Sequence, residues 1–205
     1  MKKISIFTAL LTMTVLLFSC KQAQDIKAFT EANYSLQGVE DVKLNGIDLE
    51  DRLQTKRNLS YNEQDSLLNA ITNNSLQVSA VMALYVDLQD QTEERALTLT
   101  KLKWLLLVNG EEALTGTINR DIVLQDGLNT VPFNTPVQLT ENDGQPNYTG
   151  LSRLITLIGQ QRDIRQHVTF QIKPTVQTPV GNIESPSFIT VMKPAEVAVS
   201  NGETQ

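Results

Sequence analysis

The chain has 205 residues, with 17 basic and 23 acidic side chains, a formal charge of −6, one histidine and one cysteine. The acidic balance argues against nucleic acid and anionic lipid head groups as partners, since both are polyanions that bind basic surfaces. A single cysteine excludes an intramolecular disulfide, and a single histidine excludes a two-histidine metal centre; the length is that of one domain with a core large enough to be stable alone.

In chain order, Met1-Lys2-Lys3 precedes fifteen uncharged residues, Ile4 to Phe18. As a helix this run would span about 23 Å, short of the roughly 30 Å hydrocarbon core. Ser5, Thr8, Thr12 and Thr14 weaken it further. A basic start, an apolar middle and a small residue before a break form the pattern of an export signal. The only cysteine, Cys20, follows at once in "TVLLFSCKQAQ".

Residues 21–33, "KQAQDIKAFTEAN", read as a polar tether, and residues 193–205 as a polar tail. Between them the dominant signal is alternation of period two, the mark of half-buried strands. Ser60-Tyr61-Asn62-Glu63 first fits a helix capping box, with Leu67, Leu68 and Ile71 following at helical spacing. Leu76, Val78, Ala80, Met82, Leu84, Val86 and Leu88 then define one face of a long strand. "LKWLLLVNG" is apolar on both faces and ends in Asn109-Gly110, the residue pair of a type I′ hairpin turn.

The chain returns through Leu114, Gly116, Ile118, Ile122 and Leu124. Val131, Phe133, Val137 and Leu139 alternate next, with Pro132 and Pro136 on the other phase, which places this run at a sheet edge. Leu151, Leu154, Ile155 and Ile158 mark a short helix; Val168, Phe170 and Ile172 a strand; and Ile183 to Val191 the last strand. The expected fold is mostly β, an antiparallel sandwich of seven or eight strands with one or two short helices. Its expected bounds are 34–192, after a signal at 1–19 and a tether at 20–33.

Two resemblances follow from these residues. Leu17-Phe18-Ser19-Cys20 resembles the lipobox of bacterial lipoproteins. That resemblance implies a diacylglyceryl group on the Cys20 sulfur, cleavage after Ser19, and acylation of the new amine, as by palmitate. The mature chain would have 186 residues, and loss of Lys2 and Lys3 leaves 15 basic against 23 acidic residues, a charge of −8. The implied location is the bacterial cell envelope, lipid-anchored to a membrane and facing the periplasm or the exterior. The chain would touch that membrane through its N-terminal lipid.

The runs "SLQVSAVMALYVDLQD", "LTLTKLKWLLLVNGEEALTG" and "TVPFNTPVQLT" are similar to late embryogenesis abundant type 2 domains, also called water-stress and hypersensitive-response domains. "GLSRLITLIG", "HVTFQIKPTV" and "GNIESPSFITV" follow the same order of elements. The similarity implies an immunoglobulin-like or fibronectin-like sandwich, and a non-catalytic domain in stress protection or envelope upkeep. The family's Asn-Pro-Asn after its first long strand is absent; Asp87-Leu88-Gln89-Asp90-Gln91 stands there, and the helix at 60–72 reads as an insertion.

Candidate chemistry is sparse. His167, beside Arg165 and Gln166, opens a strand and reads as an exposed histidine, since no serine lies in a Gly-x-Ser-x-Gly context. Carboxylates gather at Asp48, Glu50 and Asp51, at Glu93 and Glu94, and at Glu111 and Glu112, and "ENDGQPN" (141–147) has a calcium-turn flavour without the spacing of a hand loop. Solvated turns are the simpler reading of all four. Trp104 reads as core, with ligand stacking as the alternative. The expectation is no catalytic residue, no metal and no cofactor. The runner-up is a binding subunit of an envelope assembly, or a carrier of an apolar ligand, with its protein partner unspecified.

Overall fold

The computed structural model describes residues 32–49, 51, 55, 59–88, 96–142, 145–159, 164–178 and 181–194. Twelve strands and two α-helices run through the described residues: β1 (Asn33–Leu44), β2 (Ile47–Asp48), α1 (Tyr61–Thr72), β3 (Gln77–Asp87), β4 (Ala96–Val108), β5 (Glu111–Ile118), β6 (Ile122–Gln125), β7 (Gly127–Leu139), β8 (Glu141–Asn142), β9 (Gln145–Pro146), α2 (Tyr148–Gly159), β10 (Val168–Thr178), β11 (Gly181–Glu184) and β12 (Ile189–Met192). A 3-10 turn, Ile164–Gln166, leads into β10.

All pairings are antiparallel, and two sheets enclose one core. The first sheet is β2-β1-β3 with the opening part of β7; the second is the end of β7 with β5, β4 and β10, β6 also pairing β4, and β11 and β12 both pairing β10. The strand β7 belongs to both. Gly127–Pro136 pair with β3, and Val137–Leu139 pair with β5. The expected mostly antiparallel sandwich with two short helices is the observed fold. It has twelve strands among the described residues where seven or eight are expected, because several are two- to four-residue pieces.

The alternation in β3 lands as the sequence predicts: Leu76, Ala80, Met82, Leu84, Val86 and Leu88 are buried, and Val78 is half-buried against the same core. From the second sheet Leu99, Leu102, Trp104, Val108, Ile118, Leu124, Phe170, Ile172 and Val176 complete it. The β4–β5 hairpin turns at Asn109-Gly110 with φ of 51° and 81°, the left-handed values that a type I′ turn requires. A second Asn-Gly turn, at Asn45-Gly46, joins β1 to β2 in the same way.

The prolines of β7 obey the edge expectation. Within one strand a residue's N–H and C=O point to the same flank. The Pro132 carbonyl accepts from Arg120 Nη2, away from β3, so its missing N–H also falls on the flank without a ladder partner. Thr135 Oγ1 donates to the Thr117 carbonyl at 2.8 Å on that side. Side chains thus bridge the sheets where the backbone ladder is interrupted.

Three expectations need correction. The run from Leu114 to Leu124 is two strands, β5 and β6, broken at Asn119–Asp121. Ile183 to Val191 is also two strands, because Ser185–Phe188 leave the ladder. Pro174, in the middle of β10, sits where its outer neighbour changes from β12 to β11, and its carbonyl accepts from the Ser185 amide at 2.9 Å. A residue with no amide hydrogen is tolerated there because no strand needs one. Finally, Leu68 is 62% exposed; Ala70 is the buried residue of α1, with Leu67 and Ile71 packed against the core beside it.

The α1 capping box is present: the Glu63 amide donates to Ser60 Oγ and the Ser60 amide to Glu63 Oε2. In α2, Leu151, Leu154 and Leu157 enter the core beside Ala113 of β5; the Ile155 and Ile158 side chains lie outside the described residues. The Asn147 side chain caps this helix by accepting from the Thr149 amide at 3.0 Å.

Candidate functional site

Cys20 and its preceding Leu17, Phe18 and Ser19 lie outside the described residues, as do Glu50, Glu93 and Glu94. Among the described residues no helix is long and apolar enough to cross a membrane. None of their His, Cys, Asp and Glu side chains meet in a group of three that could hold a metal ion. Glu111 instead faces Arg153 of α2 at 3.7 Å, both half-exposed.

His167 corrects its expectation in part. It precedes β10 by one residue and is half-buried, because Asn109 at the β4–β5 turn lies against it. Its Nδ1 is 3.0 Å from Asn109 Oδ1, and the Asn109 amide donates to its carbonyl at 2.7 Å. The ring serves to pin the hairpin turn to the start of β10.

Trp104 is 4% exposed and belongs to the core. Phe170, its diagonal neighbour on β10, stacks at 6.0 Å and 16°; Phe133, from the facing sheet, lies tilted at 6.2 Å. Gly116, directly opposite on β5, leaves the room: a Cβ there would be 2.5 Å from Trp104 Cζ2. Among the described residues three buried side-chain atoms, Trp104 Nε1, the Tyr34 hydroxyl and Thr175 Oγ1, have no hydrogen-bond partner. Burial raises the Tyr34 phenol well above its ordinary value, so it stays protonated.

The surface is where the chain makes a choice. On the outer face of the second sheet, Lys103 and Lys173 stand opposite one another across β4 and β10. Their like charges are reconciled by Glu184 of β11, 2.7 Å from Lys103 Nζ and 3.4 Å from Lys173 Nζ. The Lys103 hydrogen bond, with Lys173 behind it, holds the Glu184 carboxyl below its ordinary value against some desolvation.

The outer face of the first sheet is different. Tyr85 of β3 pairs with Leu128 of β7 and Ser35 of β1; Ala83 pairs with Thr130 and Gly38; Val81 pairs with Pro132 and Glu40. Tyr85 is 44% and Leu128 65% exposed. The sequence signal was available: Val81, Ala83 and Tyr85 are apolar on the phase of β3 that alternation assigns to solvent. Reading the strand for its core face alone passes over them.

No family model matches the chain, and no curated protein is similar to it. Among solved structures, a crystal structure of a protein from Archaeoglobus fulgidus aligns over 80% of this chain and 99% of its own length, at 12% identity and a TM-score of 0.34.

Proposed function

We propose that this protein is a lipoprotein of the bacterial cell envelope, anchored through Cys20, that carries a non-catalytic β-sandwich domain in stress protection or envelope upkeep. The observation that carries the reading is the placement of the only cysteine. It stands directly after a charge-free run too short to span a bilayer and directly before a polar stretch. Sulfur is the strong nucleophile among side chains, so a lone exported thiol at that junction suits transfer of a diacylglyceryl group from a lipid, forming a thioether at the sulfur as the lipid's head group leaves. Two or three acyl chains on one residue hold a protein firmly, at about 0.8 kcal/mol per buried methylene, where a single chain binds only marginally. The similarity to late embryogenesis abundant type 2 domains supports the non-catalytic part of the reading.

The exposed Tyr85 and Leu128 on the outer face of the first sheet favour a second reading, in which the domain is the binding subunit of an envelope assembly. The two readings share the anchor. Replacing Cys20→Ala in the producing cell should leave an uncut precursor that takes up no radiolabelled fatty acid. Normal processing of the variant would remove the anchor from both.

A further inference from the structure

We propose that the outer face of the first sheet, centred on Tyr85 and Leu128, rests on the phospholipid surface to which the chain is tethered, and so fixes the orientation of the domain on the membrane. This rests on the anchoring at Cys20 proposed above. Its own support is where the tether enters the fold. Asn33 opens β1 and pairs with Asp87 at the end of β3, two residues from Tyr85 on the same face. Only the 12 residues 21–32 separate Cys20 from that point. Fully extended they reach about 40 Å, and as a flexible coil they average about 20 Å.

The end of the sheet carrying the exposed tyrosine and leucine is therefore held close to the lipid. At the effective concentration of such a linker, about millimolar, a contact with a millimolar dissociation constant is already half-populated. The chemistry of the face suits a lipid interface. A tyrosine presents an apolar ring and a polar tip, the combination favoured at head-group depth. Between Tyr85 and Pro132 the face is made of Ala83, Val81, Leu128 and Thr130. The charges on it are Asp87 and Glu40, at its two ends, with Lys43 further along β1 and Asp48 opposite it on β2. The net acidic rim predicts a preference for zwitterionic over anionic lipid.

The test separates this from lipidation itself. The chain from residue 20 onward, with Cys20→Ser and an N-terminal hexahistidine, is attached to phosphatidylcholine vesicles through a nickel-chelating lipid. With no other thiol present, an environment-sensitive dye is placed by Leu128→Cys or, on the opposite outer face, by Asn182→Cys. The dye at 128 should shift to the blue and be quenched by brominated lipid, whereas the dye at 182 should not. Tyr85→Ser should reduce the quench at 128. Equal responses at the two sites would overturn the proposal and leave the anchor untouched. So would shielding of position 128 that rises with protein concentration without vesicles, the mark of a second copy on this face. A response at 182 that appears only with anionic lipid would assign the contact to the lysine face instead. Loss of the lipid at Cys20, read by mass, is a separate result.

Discussion

On one outer face of the sandwich Lys103 stands opposite Lys173 and both reach Glu184; on the other, Tyr85 stands opposite Leu128 on one side and Ser35 on the other, both uncharged. Both faces are the solvent-side phase of alternating strands whose other phase fills a common core. Inward positions have little freedom, because burial of apolar area sets them in both sheets alike. Outward positions are not fixed by folding, so a difference between them reflects the surroundings each face meets. The lysine face is arranged for water. On the proposal above, the tyrosine face meets something less polar.

That contrast depends on the two sheets being held back to back, and Trp104 is a central residue of the core packed between them. Trp104→Ala removes a ring that packs on Phe170 within its sheet and on Phe133 across the core, and should cost about 3–5 kcal/mol of stability. Chemical denaturation checks it; an unmoved midpoint would mean that the sheets are not joined there. Gly116→Ala probes the same contact from below by forcing a methyl group toward the ring, at about 1–3 kcal/mol.

The core was largely legible in the sequence because its pattern is periodic: β3 and the inward residues of β7 follow alternation residue by residue. The first strand was not. In β1 the register shifts between Leu36 and Gly38 and again between Glu40 and Lys43, and Asp41 adopts a φ of 53°. Each bulge flips the phase, so no run of alternating residues survives to be read. The split of the last strand was hidden for a related reason, since Pro174 and Ser185 meet only in space. At the candidate site, Cys20 was legible as local chemistry, while the Tyr85–Leu128 pair needed the register of β3 against β7.

The lysine face can be weakened directly. Glu184→Gln leaves Lys103 and Lys173 facing each other with a neutral amide between them, so the variant should be slightly less stable, and the difference should shrink with added salt. The pH sign follows from the lowered Glu184 value. Its stabilising contribution is present above the ordinary carboxylate range and is lost as pH falls through the folded-state value below that range. Acid titration of wild type against Glu184→Gln should therefore show the two converging at low pH. A constant gap would remove Glu184 from the account of this face.

The smallest effect is expected away from both faces. His167→Gln keeps a side-chain donor near Asn109, so the turn should lose within about 1 kcal/mol and anchoring should be unchanged. A folded, lipidated variant that nonetheless loses a cellular phenotype would put a chemical role at this end of the sandwich.

The account as a whole turns on the anchor, and the intact mass of the mature protein, taken from membranes of the producing cell, tests it most directly. The predicted result is a chain beginning at Cys20 and carrying the added mass of two or three acyl chains on that residue. A mature chain that begins elsewhere, or begins at Cys20 with a bare thiol, would contradict it.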